Sequence, residues 1–112
     1  MGAIDVLEGA REAEQDARSC RKQLRELASS TDERVASMMK RHLESRLKRD
    51  EDAISTAAEL ILSSDVLTDR QRDVLLHRYV MGKTWQQVAK AVNSSPRPCQ
   101  YDRKAALAAL DV

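Results

Sequence analysis

The chain has no Phe, and aromatics make up only 3% of it. Any core it builds is therefore aliphatic, drawn from Leu, Val, Ile, Ala and Met. Gly occurs three times and Pro twice in 112 residues, too few breakers for many short strands and turns. Strict alternation of β-branched residues is missing as well, which argues against a half-buried sheet. No apolar run approaches the roughly 20 residues that span a bilayer. The segment Met1–Leu7 is short, mixed and carries Asp5, unlike a secretory leader. Cysteine appears twice, at Cys20 and Cys99, far apart in sequence. That usage predicts reduced thiols and a cytoplasmic protein. Cys20, His42, His77 and Cys99 fit no close-paired ligand spacing, so no metal is expected. No nucleophile–base pair, paired-carboxylate geometry or phosphate loop is visible, so neither an enzyme nor a cofactor is expected.

What is abundant is charge, at 33% of residues, a level usual for long exposed helices. The net charge of +1 points to no partner, but its distribution does. Residues 1–67 carry 11 Lys/Arg against 14 Asp/Glu, whereas residues 68–112 carry 8 against 4. The basic excess lies on the C-terminal segment, as phosphate binding requires. These features predict an all-α protein in two parts: an oligomerising helical hairpin or coiled coil over 1–64, then a three-helix, helix-turn-helix domain over 65–112.

The first helix is expected from about Ala3 to Leu27. Ala3, Val6, Ala10, Ala13, Ala17, Cys20, Leu24 and Leu27 recur at alternating steps of three and four, a heptad seam with small residues at its middle. Ser29-Ser30-Thr31-Asp32 breaks the pattern, with Ser30 or Thr31 expected to cap a second helix running to about Ser63. There Leu43, Leu47, Ile54, Ala57 and Ile61 form the seam, Asp50 occupies its polar position, and Val35 and Met39 start slightly out of phase. The run from Lys40 to Asp52 reads as a solvated face. A lone two-helix hairpin buries little apolar surface, which predicts pairing with a second hairpin or docking on the C-terminal domain. A homo-oligomer held by these helices is therefore expected.

The C-terminal part is spelled out in capping chemistry. Thr68 with Gln71 and Thr84 with Gln87 have capping-box spacing. Val74, Leu75 and Tyr79 share the buried face of the first short helix, with Arg72 and Lys83 outside it. Gly82 closes that helix in the left-handed conformation. Trp85, Val88, Ala89 and Val92 line the next, with Trp85 expected in the core and the small Ala89 allowing a close crossing. Asn93-Ser94 makes a turn, Ser95 caps a third helix, and Pro96 and Pro98 fall where amides lack intrahelical partners. Cys99, Ala106, Leu107 and Leu110 then face inward. The outward stripe is Arg97, Gln100, Tyr101 and Lys104, at i, i+3, i+4 and i+7. Arg can chelate guanine and Gln adenine through major-groove edges, while Tyr and Lys can bond phosphates. Lys83, Thr84, Gln86, Lys90, Ser94 and Ser95 are the candidates for holding the DNA backbone.

The elements Leu67, Arg72-Asp73-Val74-Leu75, Arg78-Tyr79, Gly82-Lys83-Thr84, Val88-Ala89, Ser95 and Ala106-Leu107 resemble region 4 of sigma-70-type factors. Gly82-Lys83-Thr84-Trp85 and the long charged N-terminal half look more like phage and prophage transcriptional regulators of the RinA/ArpU-like kind. The resemblance covers about Leu67–Leu110. One departure is Asp102, which stands where the family has an apolar residue. Either the third helix is rotated or Asp102 pairs with an arginine such as Arg78 or Arg103. Nothing resembles the promoter-melting sigma region. The resemblance implies a sequence-specific, nucleoid-associated transcriptional regulator of phage or integrated-element origin, binding double-stranded DNA and in some versions host RNA polymerase. Two alternatives are a small terminase-like packaging component and a protein-binding adaptor of RNA polymerase.

Overall fold

In a computed structural model, which describes residues 2–29 and 32–111, every regular element is helical. Helix α1 spans Ala3–Leu27 and α2 spans Glu33–Ser63. Helix α3 covers Asp69–Leu75 and continues in one wider, π-type turn over Leu76–Val80. Helix α4 is Trp85–Ala91 and α5 is Pro96–Leu110. Among the described residues, no helix is long and apolar enough to cross a membrane.

Helices α1 and α2 form an antiparallel hairpin, as a short connection between long helices requires. The small residues Ala10, Ala13, Ala17 and Cys20 are all buried along the α1 seam, facing Leu43, Ala57 and Ile61 of α2. Small side chains let the two backbones approach. Enlarging one there would overpack the seam, at a cost of about 1–3 kcal/mol. The hairpin, not an interchain coil, accounts for this seam. Ser30 and Thr31 lie outside the described residues. The N-cap of α2 is Asp32, whose carboxylate accepts from the Arg34 and Val35 amides at 3.1 and 3.2 Å.

Two departures from the heptad reading have a common cause. Leu7 is completely buried although Val6 held the seam position, and Val35 and Met39 are exposed. At the open end of the hairpin, α1 meets the wide turn Leu76–Val80 and α5 as well as α2. Its buried stripe widens there to include Leu7. At the turn end, among the described residues, α1 and α2 pack only on each other, and the stripe is left in solvent.

One core joins both halves of the chain across residues 64 and 65. It contains Leu7 and Ala10 from α1, Ala57 and Ile61 from α2, then Leu67, Leu75, Tyr79, Ala106 and Leu107. A second, smaller cluster of Val74, Val88, Ala89 and Cys99 holds α3, α4 and α5 together. Trp85 is only half-buried, flanking this cluster, with the Arg78 guanidinium 4.6 Å above its ring. It packs against the core, as the sequence suggested, but from its edge and only partly buried.

The polar seam position is occupied by more than one group. Arg46 of α2 donates from Nε to Asp16 of α1 at 2.9 Å and from Nη2 to its second oxygen at 2.5 Å. Those bonds hold the Asp16 carboxyl well below the usual carboxylate range. Asp50, 7% exposed, is pushed up to about 6 by burial and by the facing Asp16.

Gly82 has φ +67°, and a Cβ there would sit 2.6 Å from Glu14 Cγ. Gly9, inside α1, has nothing within 4 Å of a built Cβ. Gly82→Ala is expected to lower stability by about 1–2 kcal/mol, because the left-handed backbone disfavours Cβ. Gly9→Ala should raise it by about 0.5–1 kcal/mol through helix propensity alone. Urea unfolding of the two variants beside the parent chain checks both signs.

Candidate nucleic-acid interface

Helix α5 is the element on which an interface would depend. One side of it is sealed. Cys99 and Ala106 are fully buried and Leu107 nearly so. The other side holds Arg97, Gln100, Tyr101 and Lys104, all exposed, with Tyr101 at 61%. These four line one shallow depression together with Arg103. Two cationic groups, an amide and a phenol thus share the outward face of one helix, with Arg103 at its edge turned toward Tyr79 and Glu8. The sequence had not placed Arg103 beside this face.

The helix begins in an unusual way. Ser95 occupies the N-cap position with extended φ and ψ, but its side chain makes no capping bond. A capping hydroxyl accepts from the second or third amide of the helix. The third residue is Pro98, which has no amide hydrogen. The capping role given to Ser95 is therefore corrected: the two prolines set the start, and the Ser95 hydroxyl remains exposed.

Tertiary bonds fix how α5 is turned. Arg70 of α3 donates from Nε to Asp102 at 2.6 Å and from Nη2 to the Ser94 hydroxyl at 2.9 Å. Arg70, not Arg78 or Arg103, is the partner of Asp102. The predicted partners are engaged elsewhere: Arg78 donates to the Lys83 carbonyl at 3.0 Å, and Arg103 donates to the Tyr79 hydroxyl at 2.5 Å. Ser94, expected to hold the backbone of DNA, has its hydroxyl accepting from Arg70 of α3. Asn93 makes that turn with φ +54°.

The remaining candidates form a second group. Lys83 is half-buried and its ammonium lies 2.9 Å from His77 Nδ1. Burial, then the Lys83 charge, lowers the His77 pKa, so His77 accepts from Lys83 as a neutral ring. Lys83 and the exposed Lys90 line a depression with Gln87 and with Arg18 of α1. Arg18 reaches across to donate to the Met81 carbonyl at 3.1 Å, a contribution from the hairpin that C-terminal motif reading could not reveal. Thr84 and Gln86 are exposed at the start of α4, where the Thr84 hydroxyl accepts from the Gln87 amide at 3.3 Å. The structure thus gathers Arg97, Gln100, Tyr101 and Lys104 at one place, and Lys83 and Lys90 at another.

No protein-family model, curated protein or solved structure matches this chain.

The Arg70–Asp102 pair spans α3 and α5 with both side chains partly in solvent. A double-mutant cycle of Arg70→Ala and Asp102→Ala should give a coupling of about 0.5–1 kcal/mol, the range for exposed pairs of good geometry. A coupling indistinguishable from zero in urea unfolding would show that the pair does not hold α5 in place.

Proposed function

We propose that the chain is a sequence-specific DNA-binding protein that lays α5 in the major groove and acts as a transcriptional regulator. One observation carries the reading: α5 is locked on its inner side and presents Arg97, Gln100, Tyr101 and Lys104 together on its outer side. A reader helix needs both properties, because base edges are discriminated only by donors and acceptors held at fixed positions. Lys83, Thr84, Gln86 and Lys90 on and before α4 then contact phosphates, with Arg18 alongside. Arg97 and Gln100 are the base readers, and Lys104 with Tyr101 extends the contact along the groove.

Selection of bound duplexes from a random pool, followed by anisotropy titration, tests this directly. Gln100→Ala should lose about 1–3 kcal/mol on the selected sequence and little on a scrambled one. Lys90→Ala should weaken both, and the slope of log affinity against log salt should fall by about 1. A pool that fails to enrich, or a Gln100→Ala variant that loses equally on both duplexes, would count against base reading by α5.

The protein binds its site as a homodimer formed through the turn end of the hairpin. There Val35, Met38 and Met39 are exposed at 50, 61 and 43%. Beside them runs a groove lined by Leu24, Leu27 and Ala36, in which Lys40 lies in sequence between Glu33 and Glu44. Lys40 lies 3.8 Å from Glu44 of its own helix, both exposed; in a two-fold contact over this surface Lys40 would exchange that carboxylate for one of the other chain's, the self-complementarity an isologous contact requires. Joining two readers multiplies a weak single-module affinity by about 10²–10⁴ when both half-sites are engaged. Met38→Glu combined with Met39→Glu should convert a dimer to a monomer in light scattering and reduce affinity for a two-half-site duplex by a factor in that range. An unchanged mass would place the contact elsewhere or remove it.

A further inference from the structure

We propose that Asp16, Cys20 and Asp50 form a divalent-cation site of the zinc class, clamping α1 to α2 midway along the hairpin. One donor atom from each residue lies within 4.8 Å of the others. Asp16 and Cys20 are one helical turn apart and so share a face of α1, the i, i+4 spacing by which helices present paired metal ligands. Asp50 comes from the facing helix.

One of the three donor pairs already stands at the separation that a bound ion requires. Zinc bonds of about 2.1 Å to oxygen and 2.3 Å to sulfur, set at tetrahedral angles, place the two donors about 3.6 Å apart. Cys20 Sγ and Asp16 Oδ2 are 3.7 Å apart. Asp50 supplies the second, independent indication. It is 93% buried, given its 7% exposure, and its Oδ2 has no hydrogen-bond partner. A buried carboxylate oxygen is costly to leave without a partner, and this one belongs to a side chain whose carboxylate faces the sulfur and the other carboxylate.

Charge closes in the same direction. Two carboxylates and a thiolate bring three negative charges. Arg46, bonded through two nitrogens to Asp16, returns one. A divalent ion returns the other two, and the group becomes neutral in a place where net charge is expensive. In the absence of the ion, protons on Cys20 and on Asp50 serve the same end, so binding exchanges two protons for one cation. Arg46 acts as a positioning residue that holds the Asp16 carboxylate. A depression bordered by Ala13, Arg46 and Ala53 reaches the cluster from outside and leaves room for a water as fourth ligand. The donor set selects the metal class: a thiolate disfavours magnesium and calcium, which take all-oxygen shells, and favours zinc, cobalt and cadmium.

The test uses the full chain with Co(II) as the probe and Zn(II) as the competitor. One equivalent of Co(II) should give a thiolate-to-metal charge-transfer band and the strong visible bands of tetrahedral cobalt, both abolished by one equivalent of Zn(II). Zn(II) should also raise the melting temperature. Cys20→Ser should lose the charge-transfer band, and Asp50→Asn should bind Zn(II) at least roughly 100-fold more weakly, beyond the 10–100-fold typical of outer-shell changes. Cys99→Ala, which removes the other buried thiol, should bind as the parent does. Circular dichroism in chelator establishes that each variant is folded before the metal is added. Absence of a charge-transfer band in the folded parent overturns the site, and so does a band that survives Cys20→Ser or Zn(II) affinity unaltered by Asp50→Asn. None of these readouts depends on DNA binding.

Discussion

Tyr79 joins the halves of this protein. Its ring is buried in the core that Leu7 and Ala10 of α1 share with Ala57 and Ile61 of α2. A buried tyrosine must still satisfy its hydroxyl, and the partner here is Arg103 of α5. The bond can form only when α5 is turned so that position 103 faces inward at its flank. On a helix, that choice sends positions 97, 100, 101 and 104 away from the core. The Arg70–Asp102 pair fixes the same rotation from the other flank. Two polar contacts, on consecutive residues, thus set the azimuth of the helix more sharply than apolar packing of Ala106 and Leu107 could alone.

Those contacts also show where sequence reasoning reached and where it stopped. Signals that act within four residues of themselves were legible. Both capping boxes form as spelled, with the Thr68 and Thr84 hydroxyls accepting from Gln71 and Gln87. Gly82 adopts positive φ, and the α5 stripe is exposed. Signals that depend on a partner elsewhere in the chain were not. Asp102 was recognised as out of place, but the side chain that answers it lies 32 residues away on α3. Ser95 satisfied every compositional rule for an N-cap, yet its hydroxyl makes no capping bond, and Pro98 removes one of the two amides it could have used. The wide turn at Leu76–Val80, where the Met81 amide bonds to Leu76 five residues back, leaves no compositional mark. It is an arrangement of backbone bonds that tertiary packing selects.

The hairpin contributes differently at its two ends. At the open end it is a floor for α3 and α5, and Leu7, a residue one position off the heptad seam, becomes part of the central core. At the turn end, where among the described residues only α1 and α2 meet, Val35, Met38 and Met39 are exposed. Between them lies the polar step of Asp16, Arg46 and Asp50. A buried polar group in a helical seam costs stability but penalises any register that leaves it unpaired. With alanines on either side, the seam by itself would tolerate sliding, because small side chains define few holes. The Asp16–Arg46 bridge removes that freedom.

Register in the hairpin then matters for the exposed face of α5, although the two are well separated in sequence. A slip of α1 against α2 would move Leu7 and Ala10 relative to Ala57 and Ile61, and these four form the floor beneath Tyr79. Tyr79 could not then keep both its apolar seat and its bond to Arg103. The polar step, which looks at first like a local defect in an apolar seam, therefore acts at a distance on the orientation of α5. Rigidity of an exposed helix face need not come from that face: here the constraint passes from a bidentate ion pair, through four aliphatic side chains, to one phenol and the helix resting on it.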